Sequence, residues 1–327
     1  MNNILLTGST GFIGRHLVSL LLKQSIKIRV LTRNTSSSLP EGIETFVGDL
    51  TNSQSLVGIC EKIDTVFHLA GLAHASNKES ASFSHQHHVV NFLGTQNLLN
   101  ETIRSGVKKF IYFSSVKAVA DSNDCIDETW DIFPDSPYGI AKRQAEKFVL
   151  NAQNNSMHVC VLRPSLVYGI GWKGNLASML HMISRGLFPP LPETYNRRSM
   201  VSAHDICRAA IMAANNPIAN GKIYFVTDGI DYSTRQLYIS ICQALGKSIP
   251  KWTIPLSVFK CLATMGDLGE KLLKQRLPFN SAVLAKLFNS AQYSSKLIQG
   301  ELGFKPTCDL ISLLPEIVLD YRKELST

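Results

Sequence analysis

Thr7-Gly8-Ser9-Thr10-Gly11-Phe12-Ile13-Gly14 follows directly on the apolar run Ile4-Leu5-Leu6 and opens a stretch whose apolar residues recur at helical spacing. A glycine-rich turn between a strand and a helix lets the backbone approach a pyrophosphate, whose charge is then met by unpaired N–H groups and the positive end of the helix. The spacing is G-x-x-G-x-x-G, one residue wider than the common dinucleotide fingerprint, and glycines in a tight strand-to-helix turn also serve packing alone. The context of strand before and helix after is what gives Gly8, Gly11 and Gly14 their value as a cofactor loop.

Outward from that loop, the first 165 or so residues alternate short apolar runs with longer amphipathic stretches. Strands are predicted at Ile4-Leu6, Ile28-Leu31, Thr65-Leu69, Phe110-Phe113 and Val159-Leu162, and helices near 12–23, 53–61, 84–105 and 137–153. Such alternation predicts βαβ units and an α/β fold built on a doubly wound parallel sheet. After Pro164, Gly and Pro become frequent and helices dominate, with one strand expected at Ile223-Val226. The expected division is a dinucleotide-binding domain over 1–168 and a smaller, mostly helical substrate region over 169–327, with some chain returning to the first domain. Ser36-Ser37-Ser38 reads as a loop, and the amphipathic segment 255–275 reads as a packed helix in preference to a membrane-surface one.

The chain has 327 residues with 33 Lys and Arg against 25 Asp and Glu, a net charge of +8, and its basic residues are scattered. Without a clustered basic helix or interleaved aromatics, nucleic acid is not the expected partner, and a small polyanion is. Seven cysteines, none in a C-x-x-C pair, read as reduced thiols. There is no apolar run of the ~20 residues that span a bilayer, and the N-terminus lacks the features of a signal peptide. Cytoplasm is the expected compartment, with no stable membrane insertion.

Tyr138 and Lys142 lie four apart on a predicted helix and project from one face. An ammonium near a phenol favours the phenolate, which predicts a lowered pKa for Tyr138 and a usable base. Ser114-Ser115 ends the fourth strand, where a hydroxyl points into the crevice; Ser115 is placed to hydrogen-bond the reacting oxygen. Thr32-Arg33 stands where NAD-binding units carry an acid for the ribose, so NADP(H) is slightly favoured over NAD(H), the alternative being a solvated Arg at a strand end. Asp49-Leu50, after a further short strand, suits the adenine amino group or an ordinary turn. His85, His87 and His88 have no Cys or carboxylate at ligand spacing and read as structural or solvated, with no metal. His68 reads as a core histidine and Glu128 as an exposed loop acid.

These residues carry a resemblance to the extended short-chain dehydrogenase/reductase family, particularly its nucleotide-sugar epimerases and reductases, over nearly the whole chain. It runs through the glycine loop, Val66-Phe67-His68-Leu69-Ala70-Gly71-Leu72, Asn91-Phe92-Leu93-Gly94-Thr95, Phe113-Ser114-Ser115-Val116-Lys117, Tyr138-Gly139-Ile140-Ala141-Lys142, Leu162-Arg163-Pro164-Ser165-Leu166-Val167-Tyr168-Gly169 and Arg198-Ser199-Met200-Val201. The chain is similar to UDP-glucose and UDP-N-acetylglucosamine 4-epimerases and to bacterial surface-polysaccharide relatives. The resemblance implies a Rossmann domain in which Gly8, Gly11, Phe12, Ile13 and Gly14 hold the pyrophosphate and Asp49 and Leu50 the adenine. It further implies that Leu69, Ala70 and Gly71 line the adenosine side, Asn91 steadies the cofactor-side strands and helix, Lys142 anchors the nicotinamide ribose, and Pro164 and Ser165 edge the nicotinamide. On the substrate side Asn175 and Leu176 resemble the loop against the nucleotide phosphates, and Arg198 the diphosphate-binding arginine, whose guanidinium suits two oxygens at once. Asn175 as a helix N-cap is the alternative. In the galactose epimerases the hydroxyl residue sits one place on, where this chain has Val116; the polysaccharide relatives restore Ser115, with Ser114 in reserve.

The resulting expectation is an NAD(P)-dependent 4-epimerase of a nucleoside diphosphate sugar, UDP-linked, acting as a homodimer through the helices near 84–105 and 137–153. Epimerisation goes with NAD. An NADPH-dependent 4-keto-sugar reductase is the alternative; a non-sugar ketone reductase and a non-catalytic nucleotide-sensing protein stand behind it.

Overall fold

β1 (Asn3–Thr7) lies inside a seven-stranded sheet in the computed structural model, which describes every residue except 25, 35–38, 74–80, 155, 173, 274, 276 and 327. The serine run 36–38 lies outside the described residues. β1 pairs with β2 (Lys27–Thr32) on one side and β4 (Thr65–His68) on the other. Beyond them come β3 (Ile43–Val47), then β5 (Lys109–Phe113), β6 (His158–Pro164) and β9 (Lys222–Val226), giving the order β3-β2-β1-β4-β5-β6-β9 with every pairing parallel. The order reverses between β1 and β4, which opens a crevice outside their carboxyl ends.

Alternate side chains feed two cores. Ile4 and Leu6 face α1 (Phe12–Leu21), α6 (Ala203–Asn215) and α10 (Lys296–Leu302). Leu5, Phe110, Tyr112 and Val159 face α3 (Gly94–Arg104) and α4 (Pro137–Asn151). Because both faces are covered, the strands read as continuous apolar runs.

Two predicted helices differ from what is found. The stretch 84–105 is broken into α2 (Ala81–His87), a π-helical turn over His88–Leu93 and α3. The stretch 53–61 holds only a 3-10 turn, Ser53–Leu56, after which Gly58 with φ +86° turns the chain away. After Pro164, four strands replace the one expected. β9 joins the large sheet, and β7 (Leu166–Tyr168), β8 (Arg198–Ser202) and β10 (Asp231–Tyr232) form a small sheet of their own in the order β10-β8-β7. This sheet and the helices α5 (Asn175–Ser184), α7 (Thr234–Leu245), α8 (Leu256–Leu273), α9 (Ser281–Phe288) and α11 (Leu310–Ser326) enclose a separate core containing Tyr168, Leu180, Ile241, Phe259 and Leu314.

A buried ion cluster ties α4 to the sheet. Glu146 is fully buried and accepts from Arg163 Nε and Nη2 of β6 at 2.9 and 2.6 Å, and from Arg143 Nη1 at 3.2 Å. Arg143 also pairs with Asp131, and the Arg163 guanidinium lies over the Phe225 ring, 5.2 Å from its centroid. Removing one partner of such a pair strands the others in a low-dielectric interior. Glu146→Gln should therefore lower the unfolding free energy by about 3 kcal/mol. Urea denaturation followed by circular dichroism measures it, and a loss below about 1 kcal/mol would show that the cluster behaves like a surface pair.

Candidate active site

At the turn after β1, Gly8 has φ +77°, and a Cβ there would stand 2.7 Å from the Ala70 nitrogen. A Cβ on Gly14 would run into the Gly8 carbonyl oxygen. Only bare backbone allows β1, α1 and the loop after β4 to meet this closely. Gly11 occupies the N-cap position of α1 without a side chain to cap it, and no acidic residue stands in the first turn. The N-terminal N–H groups beginning at Phe12 and Ile13 thus face outward, at the positive end of the helix. Nearby, Ser9 Oγ is buried without a hydrogen-bond partner. A cradle closed to side chains, uncapped N–H groups and an orphaned hydroxyl are the features a pyrophosphate satisfies, so these residues fit a dinucleotide.

Further along the crevice, Asp49 Oδ1 accepts from Thr51 N and Thr51 Oγ1, both at 2.8 Å. Those bonds hold its carboxyl below the usual range, with the Arg33 charge helping. Leu50 is buried in the sheet core, and its carbonyl accepts from Asn97 Nδ2. Arg33 is exposed at the end of β2, and Thr32 Oγ1 donates to the Asn34 carbonyl.

The loop Leu69-Ala70-Gly71 leaves β4 half-buried to exposed. Asn91, inside the π-helical turn, clamps its far end: Oδ1 accepts from Leu72 N at 2.7 Å and Nδ2 donates to Leu72 O at 3.1 Å. A Cβ on Gly71 would sit 3.0 Å from Asn91 Oδ1 and 3.4 Å from Lys142 Nζ, so the loop passes directly over the lysine. His68 is fully buried, held between Thr7 Oγ1 and Thr95 Oγ1 at 2.6 and 2.9 Å, and burial brings its pKa down to about 3. It is a neutral core histidine.

α4 begins at Pro137, behind Ser136, whose side chain accepts from Gly139 N. It brings Tyr138 and Lys142 to the carboxyl end of β5. Lys142 Nζ donates to the Phe113 carbonyl at 2.9 Å and lies 4.8 Å from the Tyr112 ring centroid. Burial brings its pKa down to about 8, with Glu146 opposing. Tyr138 stands beside Ser115. Burial raises its phenol above the ordinary value, the nearby Ser115 hydroxyl lowers it, and Glu146 raises it again. This corrects the expected direction: desolvation outweighs the nearby ammonium, which is turned toward a carbonyl. Ser115 also accepts from Lys117 N, while Ser114 Oγ is buried without a partner and Val116 is packed in the core with Phe225 and Tyr293. Pro164 and Ser165 are buried at the end of β6, where Ser165 N donates to Val226 O.

Of the two readings of His87, structural or solvated, the structure has the first: the side chain is buried with its ring edge-on to Tyr138, the centroids 5.6 Å apart. Nothing in its spacing marked it, because a π-helical turn intervenes between it and α3. Glu128, by contrast, is not the exposed loop acid expected. It is half-buried and accepts from Phe225 N at 2.9 Å, which satisfies a donor on the edge strand β9.

In the C-terminal region, Asn175 is exposed in the first turn of α5, and the N-cap is Gly174 with φ +82°, so the cap reading of Asn175 does not hold. The Leu176 side chain points into the C-terminal core. Arg198 on β8 donates through Nη1 to the carbonyls of Lys286 and Asn289 at 2.8 and 3.1 Å, at the end of α9. Burial pulls its pKa below the usual value, and Nε and Nη2 have no such bonds among the described residues. Arg197 is exposed.

The family model described as "NAD dependent epimerase/dehydratase family" matches residues 4–226. The UDP-glucose 4-epimerase of Vibrio cholerae is 34% identical over 312 residues, 93% of this chain and 90% of that protein. The N-acetyl-alpha-D-glucosaminyl-diphospho-ditrans,octacis-undecaprenol 4-epimerase of Escherichia coli O157:H7 is 27% identical over 306 residues, again 93% and 90% of the two chains. The solved structure of a UDP-glucose 4-epimerase with UDP-glucose from Thermotoga maritima superposes with a TM-score of 0.79 over 99% of each chain at 24% identity, a likeness of fold.

The buried ammonium makes stability depend on pH. Lys142 titrates near 8 when folded and at its ordinary 10.5 when unfolded, so between these values the unfolded chain holds the extra proton and stability rises with pH. In cofactor-stripped protein, raising the pH from about 7 to about 10 should stabilise the wild type relative to Lys142→Met by on the order of 2 kcal/mol. Parallel urea curves for the two proteins would expose the idea as mistaken.

Proposed function

The chain belongs to the NAD dependent epimerase/dehydratase family, and from that premise we propose that it is an NAD-dependent 4-epimerase of a nucleoside diphosphate sugar with Tyr138 as its acid–base residue. The observation that carries this reading is the meeting of Tyr138, Lys142 and Ser115 at the carboxyl end of β5, beside a loop fitted for a dinucleotide.

When bound, NAD supplies the hydride acceptor and returns the hydride. The residues of the chain do the rest. Tyr138 takes the proton of the sugar hydroxyl as the carbon is oxidised and gives it back on reduction. Ser115, beside that phenol, donates to the reacting oxygen and stabilises the charge that develops there. Lys142 has one N–H committed to Phe113 O, which leaves two donors for the ribose and for the phenolate. His87 packs the Tyr138 ring from the side and keeps water from it. Arg198, with Nε and Nη2 to offer, holds the diphosphate, and the first turn of α5 at Asn175 meets it from the other side.

With the epimerase reading goes NAD, so the small preference for NADP(H) drawn from Thr32-Arg33 gives way, and Arg33 remains an exposed charge beside Asp49. The name of the Vibrio cholerae relative favours a uridine nucleotide. That of the Escherichia coli relative favours a second reading, in which the diphosphate carries a polyprenyl chain instead of a nucleoside. Assembly as a homodimer through α3 and α4, and work in the cytoplasm, complete the proposal on the family resemblance.

Purified protein should carry NAD and interconvert UDP-glucose and UDP-galactose without added nucleotide; net NADPH consumption by protein free of bound cofactor would instead make it a reductase. Tyr138→Phe should lower kcat by about a hundred- to ten-thousand-fold while leaving the affinity for UDP unchanged. Steady-state kinetics beside calorimetric titration with UDP tests this, and a variant retaining most of its kcat removes Tyr138 from the chemistry.

A further inference from the structure

α8 was expected to be packed, yet only Phe259, Ala263 and Gly266 are buried along its 18 residues. Phe259 meets Phe279 and Phe288, with ring centroids 6.1 and 5.3 Å apart, which fixes the helix on α9 and the connection before it. A quarter-turn round from that buried line, Val258, Leu262, Met265, Leu268 and Leu272 form a stripe at helical spacing, and they are exposed, Met265 to 63% and Leu272 to 75%. Trp252 is 63% exposed just before the helix, at a corner held by the bond from Ile254 N to Pro190 O that also presents the exposed Leu187. A continuous apolar surface of this kind on a packed helix marks something that covers it.

The charge around the stripe identifies the cover. Residues 246–289 contain seven Lys and Arg and only two acids, Asp267 and Glu270. Both acids are engaged by the connection to α9: Asp267, at the surface near Lys271, accepts from Ser281 N and Oγ, and Glu270 accepts from Leu277 N and Asn280 Nδ2. Lys251, Lys260, Lys271 and Lys286 are exposed, and no salt bridge engages them among the described residues. A second copy would bring like charges together across a two-fold axis. No helix among the described residues is long and apolar enough to cross a membrane. An apolar stripe flanked by lysines on a helix too polar to insert is the pattern that lies in the headgroup region of an anionic bilayer.

We propose that α8, with Trp252 at its start, docks this protein reversibly on an anionic lipid surface. The end of α9 that packs beside it also supplies the carbonyls that hold Arg198, so docking brings the diphosphate end of the site close to the lipid. The proposal stands on the surface of 246–289 and is independent of which diphosphate sugar is turned over.

Flotation of the full chain with vesicles tests it, using phosphatidylcholine alone and phosphatidylcholine with about a third phosphatidylglycerol. The wild type should float with the anionic vesicles on the order of tenfold more than with the neutral ones, and should be released by molar salt. Leu268→Glu with Leu272→Glu should abolish flotation, and Lys260→Glu with Lys271→Glu should reduce it several-fold. Turnover of UDP-glucose in solution, read on the same preparations, should be unchanged, which separates docking from folding. A wild type that stays with the unbound fraction overturns the proposal, as does flotation indifferent to the leucine pair. Light scattering showing an oligomer that the leucine pair dissociates also overturns it and gives the face to a second copy. Flotation without turnover would instead remove the UDP-sugar reading and leave docking in place.

Discussion

A primary ammonium is buried where α4 crosses the carboxyl end of β5, and its bond to the Phe113 carbonyl organises what surrounds it. Burying such a charge is costly unless its donors are met. Here one is met by the carbonyl, and the face of Tyr112 offers a further electrostatic partner. With Lys142 held there, the helix rotation is set, and Tyr138, one turn earlier, can face only the crevice and Ser115. Glu146, one turn later, meets Arg163 of β6 and secures the other end of the same turn pair. Gly71, the loop residue that passes over the ammonium, has no side chain to obstruct it.

The same burial explains why the phenol of the ligand-free protein is raised and not lowered. Sequence spacing shows that a cation and a phenol share a face, but the balance between desolvation and attraction depends on depth in the crevice and on where the ammonium points. The glycine loop and the Tyr138–Lys142 pair were legible because each needs residue types that few other purposes require. Asn91 was legible only by family resemblance, and the π-helical turn that aims it was not, since a one-residue slip in the hydrogen-bond ladder leaves the apolar periodicity nearly unchanged. His87 and Glu128 escaped for a related reason: their partners are an aromatic edge and a strand N–H brought in from far along the chain.

In the C-terminal half the signal was weaker still. Strands of two to five residues, such as β7, β8 and β10, are too short to display a period. Arg198 is held by main-chain carbonyls about 90 residues onward, which no side chain announces. The exposure of α8 was hidden because an amphipathic pattern with apolar residues on two adjacent faces reads alike whether both faces or one is packed.

The central claim is that oxidation and reduction occur at one sugar carbon within a single site. Its most direct test is to supply UDP-glucose carrying deuterium at C4 and to analyse the UDP-galactose formed by mass spectrometry and proton NMR. The account predicts that the deuterium stays at C4, because the hydride that leaves is the one that returns, with no exchange into solvent. Product carrying solvent hydrogen at C4, or deuterium at any other carbon, would contradict it.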